Sequence, residues 1–455
     1  MHRRRFLVSL SIVCAAAFAG PAAQSHWLDA YREPARRLID ESRSSTFAWD
    51  RLAELGDTFG HRLSGSDNLD AAFKWAADQM RRDGLENVRL EPVKVPHWVR
   101  GAESLEIIAP GRHPLAMLGL GNSVGTPADG LQADLLVVRS FQDLDAAGDR
   151  VKGRIVLFNV PFTTYGETVP YRSDGASKAA VKGAVAMLIR SVGLPGLRTP
   201  HTGALRYADG QPQIPAAAVS TEDADRLQRM VNRGTRVRLR LKMEARFLPD
   251  ADSFNLIGEL RGREQPGEVV VVGGHFDSWD VGAGATDDGG GCVVSWEALR
   301  LMKKLGLRPR RTIRVVLFTN EENGLRGATD YRDRHRDELA NHVLMFESDS
   351  GVFRPTGFGF SGSDSARKTI EEIATLLHGI GTDTITAGGG EADIGPSVQA
   401  ANIPALSLNV DGNYFLLHHT AADTVDKIDP RDMSTAAGAI AVMAYVVAEM
   451  PERLK

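Results

Sequence analysis

The chain has 455 residues, a formal net charge of −4, 25% charged and 43% hydrophobic residues. These are globular values that exclude a disordered, collagen-like or coiled-coil chain, and with no basic surplus nothing points to a nucleic-acid partner. Two cysteines exclude a disulfide framework and a thiolate zinc site, so any metal here is held by His, Asp and Glu.

The N-terminus reads as an address. Arg3, Arg4 and Arg5 form a basic start, Phe6 to Ala19 an apolar run of 14 residues, and small residues follow up to Ala23. The run is too short for a membrane span, and residues 1–23 fit a bacterial signal peptide for secretion or the periplasm. Arg3-Arg4-x-Phe6-Leu7 also resembles a twin-arginine signal, a route for folded, cofactor-loaded proteins. An arginine-rich Sec signal fits the same residues. No other apolar run reaches about 18 residues, so no membrane span is expected.

After the leader, residues 68–83 are apolar at helical spacing (Leu69, Ala72, Phe73, Ala76, Met80), with Gly84 as a stop. Residues 87–95 alternate like a strand. From 115 to 245 short strand-like runs at 133–138, 154–158 and 216–219 stand between Gly- and Pro-rich loops, with helices before Gly183 and at 222–232. This reads as a separate, β-rich insert. Beyond 250, strand runs (269–272, 312–318, 342–346, 405–408) alternate with helical stretches (293–305, 325–334, 366–377, 434–450). Such alternation argues for a mostly parallel α/β sheet with helices on both faces.

Ligands of open α/β sheets bind outside the carboxyl ends of the strands. Each predicted strand here runs into metal-type donors: His275-Phe276-Asp277, then Glu321-Glu322, then Glu347-Ser348-Asp349. Asp287-Asp288 lies between the first two, and His418-His419 with Asp423 lies downstream. Any one of these is weak. A lone His is more often a packed or surface group, Glu-Glu a solvated face and Asp-Asp-Gly a turn. Their conjunction at consecutive strand ends is not explained that way.

The segments GGHFDSWDVGAGATDDGGG, SWEALRLMKKLGLRPRRT, NEENG, ESDSG and HHTAADT resemble the co-catalytic dizinc exopeptidases, the aminopeptidase and glutamate carboxypeptidase group. The resemblance extends to RLSGS near Arg62, EPVKVPHW near Glu91, LGLGNSVGTP near Leu118 and TPHTG near His201, so it covers nearly the whole chain after the leader. It implies two zinc ions, one on His275 and Asp349 and the other on Glu322 and His419, bridged by Asp287. It makes Glu321 the general base and acid, and His418 a neighbour of the ligand. The intervals of 12, 35, 27 and 70 residues between the successive positions 275, 287, 322, 349 and 419 fit that pattern. Asp277 is expected to orient His275, and Asp423 to serve His419 in the same way. The family often has a cis peptide after the bridging aspartate, here Asp287–Asp288.

Two carboxylates next to each other on a strand would face opposite sides. Glu321 and Glu322 can therefore share a site only if the chain bends, which Asn320 and Gly324 suit. The 115–245 insert resembles a protease-associated domain, either a rigid lid or a contributor to substrate contact. Glu391 and Asp393, in the glycine-rich loop from Gly388, and Tyr414 are further candidates for substrate contact. The resemblance implies a secreted zinc exopeptidase for dipeptides or short peptides with free termini, and a homodimer. Two alternatives on the same fold stay open: a glutaminyl cyclase-like transferase and a non-catalytic, receptor-like binding module.

Overall fold

The structure is a computed structural model that describes residues 26–454. The expected signal peptide, 1–23, lies outside the described residues. Two eight-stranded sheets organise the chain. In the larger, the strands run in the order Glu86–Val99, Arg246–Leu260, Arg311–Phe318, Gln265–His275, His342–Glu347, Ala405–Asp411, Arg354–Ser361 and Thr384–Ala387. The middle four are parallel to one another, and antiparallel strands flank them on both sides. Val269, Val270, Val271 and Val272 are buried on both faces, as a central parallel strand requires.

Helices cover both faces. Gly290–Lys304 and Pro430–Glu449 pack on one side with Asp67–Arg82, sharing one large apolar core with the sheet. Asp67–Arg82 forms where the periodicity predicts. Ser66 caps it by accepting from the Leu69 amide, Leu69, Ala72, Phe73, Ala76 and Met80 are buried, and Gly84 at φ +80° ends it.

The smaller sheet runs 113–115, 103–109, 238–243, 131–138, 155–158, 186–190, 216–219, 117–119. Its two faces carry separate apolar clusters, the mark of a unit with its own core. The insert therefore begins near 103 rather than at 115. Glu103–Ala109 pairs with Arg238–Met243 through Leu105↔Leu241 and Ile107↔Leu239. That partner strand lies 132 residues away, from 107 to 239, and a long-range pairing leaves no local pattern in the sequence.

The strand Gln265–His275 has neighbours on both sides that come later in the chain, 311–318 and 342–347. The chain thus switches direction across the sheet beside His275, where α/β sheets open a crevice at their carboxyl edge.

Candidate metal centre

All four parallel strands deliver chemistry at that edge. His275 is the last residue of its strand, Glu321 and Glu322 follow Phe318, Asp349 follows Glu347, and Tyr414 to His419 follow Asp411. The Asp287 loop enters from the N-terminal side of the helix Gly290–Lys304.

Five side chains converge. His275 Nε2 is 3.1 Å from Asp287 Oδ1 and 3.4 Å from Asp349 Oδ1. His419 Nε2 is 3.1 Å from Glu322 Oε2 and 3.3 Å from Asp287 Oδ2. Asp287 thus stands between two half-sites, with one oxygen toward each. His418 comes no nearer than 3.8 Å to Asp287 Oδ2. Its ring instead stacks on His419, with centroids 3.5 Å apart.

The loops are held by buried polar contacts. The Asp287–Asp288 peptide is cis. Asp423 accepts from the amides of Ala285, Thr286 and Asp287 and from the Thr286 hydroxyl. Arg62 donates to the carbonyls of Gly60, Phe276, Ala283 and Gly284. Asn320 at φ +67° turns the chain before Glu321, and Gly324 fits because a Cβ there would meet Asn320 Oδ1 at 2.2 Å. The bend lets both glutamates face the cavity.

Three expectations change. Asp277 orients His275 through its backbone carbonyl, 3.0 Å from Nδ1. Its carboxylate accepts from the amides of Glu321 and Glu322 and from Ser64 Oγ. Asp277 Oδ1 also stays 4.0 Å from His275 Nδ1, so the carboxylate braces the glutamate loop beside that ring and does not line the cavity. Asp423 serves the Asp287 loop, whereas His419 Nδ1 lies 3.3 Å from the Thr202 carbonyl of the insert. Asp393 is buried and does not line the cavity, because its amide and that of Ile394 are drawn onto Glu347. Glu391 and Tyr414, by contrast, do line it.

The cavity holds about 560 Å³ and is walled by Asp287, Glu321, Glu322, Asp349, Glu391, Tyr414, Phe415, His418 and His419, with Tyr165, Arg172 and Leu194 from the insert. Those last three carried no motif and were not singled out in the sequence.

Electrostatics make this a cation site. Burial, with Asp349 and Asp287 adding to it, pushes Glu321 up to about 8. Burial and Asp287 push Glu322 well above the carboxylate range, and burial raises Asp349 too. Burial opposes charge on His275, but Asp349 and Asp287 outweigh it and hold its proton well above the usual range. Burial first, then His418 and Arg172, depresses His419. Asp287 Oδ2 and Asp349 Oδ1 are buried without a hydrogen-bond partner. Crowded carboxylates, two imidazoles and orphaned oxygens fit divalent ions with nitrogen and oxygen ligands.

The model of peptidase family M28 matches residues 255–444. Carboxypeptidase Q of Homo sapiens is 47% identical over 408 residues, spanning 90% of this chain and 86% of that protein. The Bos taurus carboxypeptidase Q is 46% identical over 428 residues, 93% of this chain and 90% of that protein. A crystal structure of a peptidase M28 precursor from Shewanella amazonensis superposes with a TM-score of 0.89 at 35% identity, covering 94% of this chain and 98% of that one. A zinc aminopeptidase from Bacillus subtilis shares the fold, with a TM-score of 0.68 at 21% identity over 90% of this chain and 96% of that one.

Proposed function

The chain belongs to peptidase family M28, and from that premise we propose that it is a dizinc exopeptidase cleaving dipeptides and short peptides with free termini. It is a metallopeptidase, a hydrolase by family. The observation that carries the finer reading is Asp287, which offers one oxygen to the His275/Asp349 pair and the other to the Glu322/His419 pair. Each pair with Asp287 makes a three-donor set, the usual protein share of a catalytic zinc.

When bound, zinc supplies Lewis acidity toward the scissile carbonyl and toward water. The protein's own groups do the rest. Glu321 is not among the close ligand contacts and faces the cavity. It takes the proton of the attacking water on its carboxylate and passes it to the departing amine. Glu391 lines the cavity near Asp349 and fits an α-amine. Tyr414, beside Asp287, fits a substrate oxygen. Two bridged half-sites favour this reading over a single-zinc cyclase. A complete donor set around a cavity favours it over a receptor-like module.

Residues 1–23, basic then apolar, support export, and the 103–243 unit is a protease-associated-type domain in this reading. Metal analysis of the purified protein should give about two zinc ions per chain, and chelation should abolish hydrolysis of a dipeptide panel. Full activity with one ion or none would overturn the two-metal centre.

A further inference from the structure

The two half-sites are held by different parts of the chain. His275 is oriented from within the larger unit, its Nδ1 3.0 Å from the Asp277 carbonyl. His419 is held by the insert. The Thr202 amide donates to the His419 carbonyl at 2.9 Å, and the Thr202 carbonyl stands 3.3 Å from His419 Nδ1. Arg172 Nη1 lies at the same distance from that nitrogen, but a guanidinium only donates. With Nε2 turned to Glu322 and Asp287, the ring proton goes to the Thr202 carbonyl. Beside it, His201 Nδ1 lies 2.8 Å from the His418 carbonyl. A carbonyl only accepts, so His201 is the donor. The Leu194 amide donates to the Phe415 carbonyl at 2.9 Å. These contacts tie residues 194–202 of the insert to residues 415–419.

The holding segment is itself fixed. Ser191, His201 and Thr202 are buried. The Ser191 hydroxyl accepts from the His201 amide, and the Thr202 hydroxyl donates to the Gly119 carbonyl at 2.7 Å. Gly193 makes room for the contact, since a Cβ there would stand 2.3 Å from His201 Cε1 and 2.8 Å from the Phe415 carbonyl oxygen. Glu322 leans on the insert too. Its Oε1 accepts from the Trp279 amide at 3.1 Å, and the Trp279 side chain belongs to the insert's apolar core. A Cβ on Gly121 would meet that indole at 1.9 Å. The segments LGLGNSVGTP and TPHTG, which the metal ligands leave unexplained, thus supply Gly119, Gly121, His201 and Thr202. His419 sits at φ +62°, a conformation uncommon outside glycine. Where its ring points depends on what holds its backbone.

We infer that His201 is a positioning residue for the metal ligand His419, so that the Glu322/His419 half-site depends on the docked insert while the His275/Asp349 half-site does not. This rests on the two-metal reading above. His201 pins the peptide that precedes His419, and Thr202 takes the ring proton and so fixes which nitrogen faces the cation. The dependence runs both ways. An ion on Glu322 and His419 strengthens the insert's hold on residues 415–419 by the same factor by which that hold strengthens the ion.

The test measures zinc rather than turnover, in the full-length protein. His201→Leu fills the space without a donor, whereas His201→Asn places an amide nitrogen where Nδ1 stood. His201→Leu should weaken one of the two zinc ions by about ten- to a hundredfold against a competing chelator and leave the other unchanged. His201→Asn should restore most of that affinity, which lost packing alone would not predict. Two backgrounds identify the half-site. In Asp349→Asn, which keeps the Glu322/His419 pair, adding His201→Leu should weaken the remaining ion. In Glu322→Gln, which keeps the His275/Asp349 pair, it should change nothing. Equal weakening in both backgrounds, or none in either, would overturn the assignment. Hydrogen exchange on wild type needs no variant to fold: stripping zinc should speed exchange of the Leu194 and Thr202 amides, and unchanged exchange there would refute the coupling. A wild type that binds a single ion would refute the two-metal reading instead. Exchange of the Leu416 and His418 amides then decides on His201: faster in His201→Leu than in His201→Asn supports it, and equal rates refute it.

Discussion

Glu321 and Glu322 are neighbours in sequence that sit differently in the site. Glu322 Oε2 sits 3.1 Å from His419 Nε2, while Glu321 makes no such contact and opens onto the cavity. Glu321→Gln should retain zinc and lose about 10²–10⁴ in rate, whereas Glu322→Gln should lose zinc together with activity. Metal content measured beside turnover separates the two, and a near-normal rate for Glu321→Gln would shift the assignment. The histidines form a second pair. His419→Ala should lose metal, while His418→Ala should remove a stacked ring and cost less. Wild-type zinc content in His419→Ala would refute that register. The donors were legible from sequence because the motifs set residue type, spacing and strand end together. The roles of Asp277 and Asp423 were not. Sequence gives their nearness to His275 and His419, but not whether a carboxylate turns to a ring or to the backbone amides of a neighbouring loop.

Between residue and fold, the loops are the elements that matter most. Asp423 gathers three amides and a hydroxyl from residues 285–287. Asp423→Asn replaces one acceptor oxygen by a donor facing donors, at a cost of about 1–3 kcal/mol per unsatisfied group. We expect the Asp287 loop to loosen and zinc affinity to fall, although Asp423 is no ligand. Titration with a competing chelator reads this, and an unchanged affinity would show that the loop holds itself. At the start of the strand His342–Glu347, His342 is buried between the Glu338 carbonyl and the Tyr331 hydroxyl. Burial lowers it from 6.5 to about 4. The folded state keeps it neutral while the unfolded chain takes up a proton. Its contribution, of the order of 3 kcal/mol, is therefore complete above pH 6.5 and is lost as the pH falls from 6.5 to about 4. His342→Gln should be less stable at pH 7 and flatter across that window in denaturant titrations. A slope equal to that of wild type would exclude His342 as a source of acid lability. Strands and helices beyond 250 were readable because alternation and burial coincide there. The joining strand Glu103–Ala109 was not, since only its distant partner defines it.

For the whole molecule, the catalytic edge of one sheet is closed by residues of the other. Tyr165, Arg172 and Leu194 from the insert line the cavity together with Glu391 and Tyr414 from the larger unit. Tyr165 stacks on Phe415 with centroids 5.4 Å apart, and the Thr202 carbonyl reaches His419 Nδ1. The sequence pointed to the insert as a lid or a substrate contact, but not to Tyr165, Arg172 or Leu194. Single residues from two units carry no shared spacing, and only the docking of the units brings them together. A cavity lined by both units can limit the length of its substrate. Glu391 lines the cavity, where burial and the neighbouring Asp349 raise its proton affinity, and an arriving α-amine would give its charged form a partner. N-acetylation removes that amine's charge and leaves the carboxylate side unmatched. Free dipeptides should therefore be cleaved faster than their N-acetyl forms, by about tenfold or more for one charged hydrogen bond. Glu391→Gln should narrow that gap while sparing zinc content. Longer peptides should lose rate as they outgrow the cavity, and folded proteins should not be cut at internal bonds. Mass analysis of the products tests every step of this argument. Internal cleavage of doubly blocked peptides at comparable rates would mean that the wall yields, and the chain would then act as an endopeptidase.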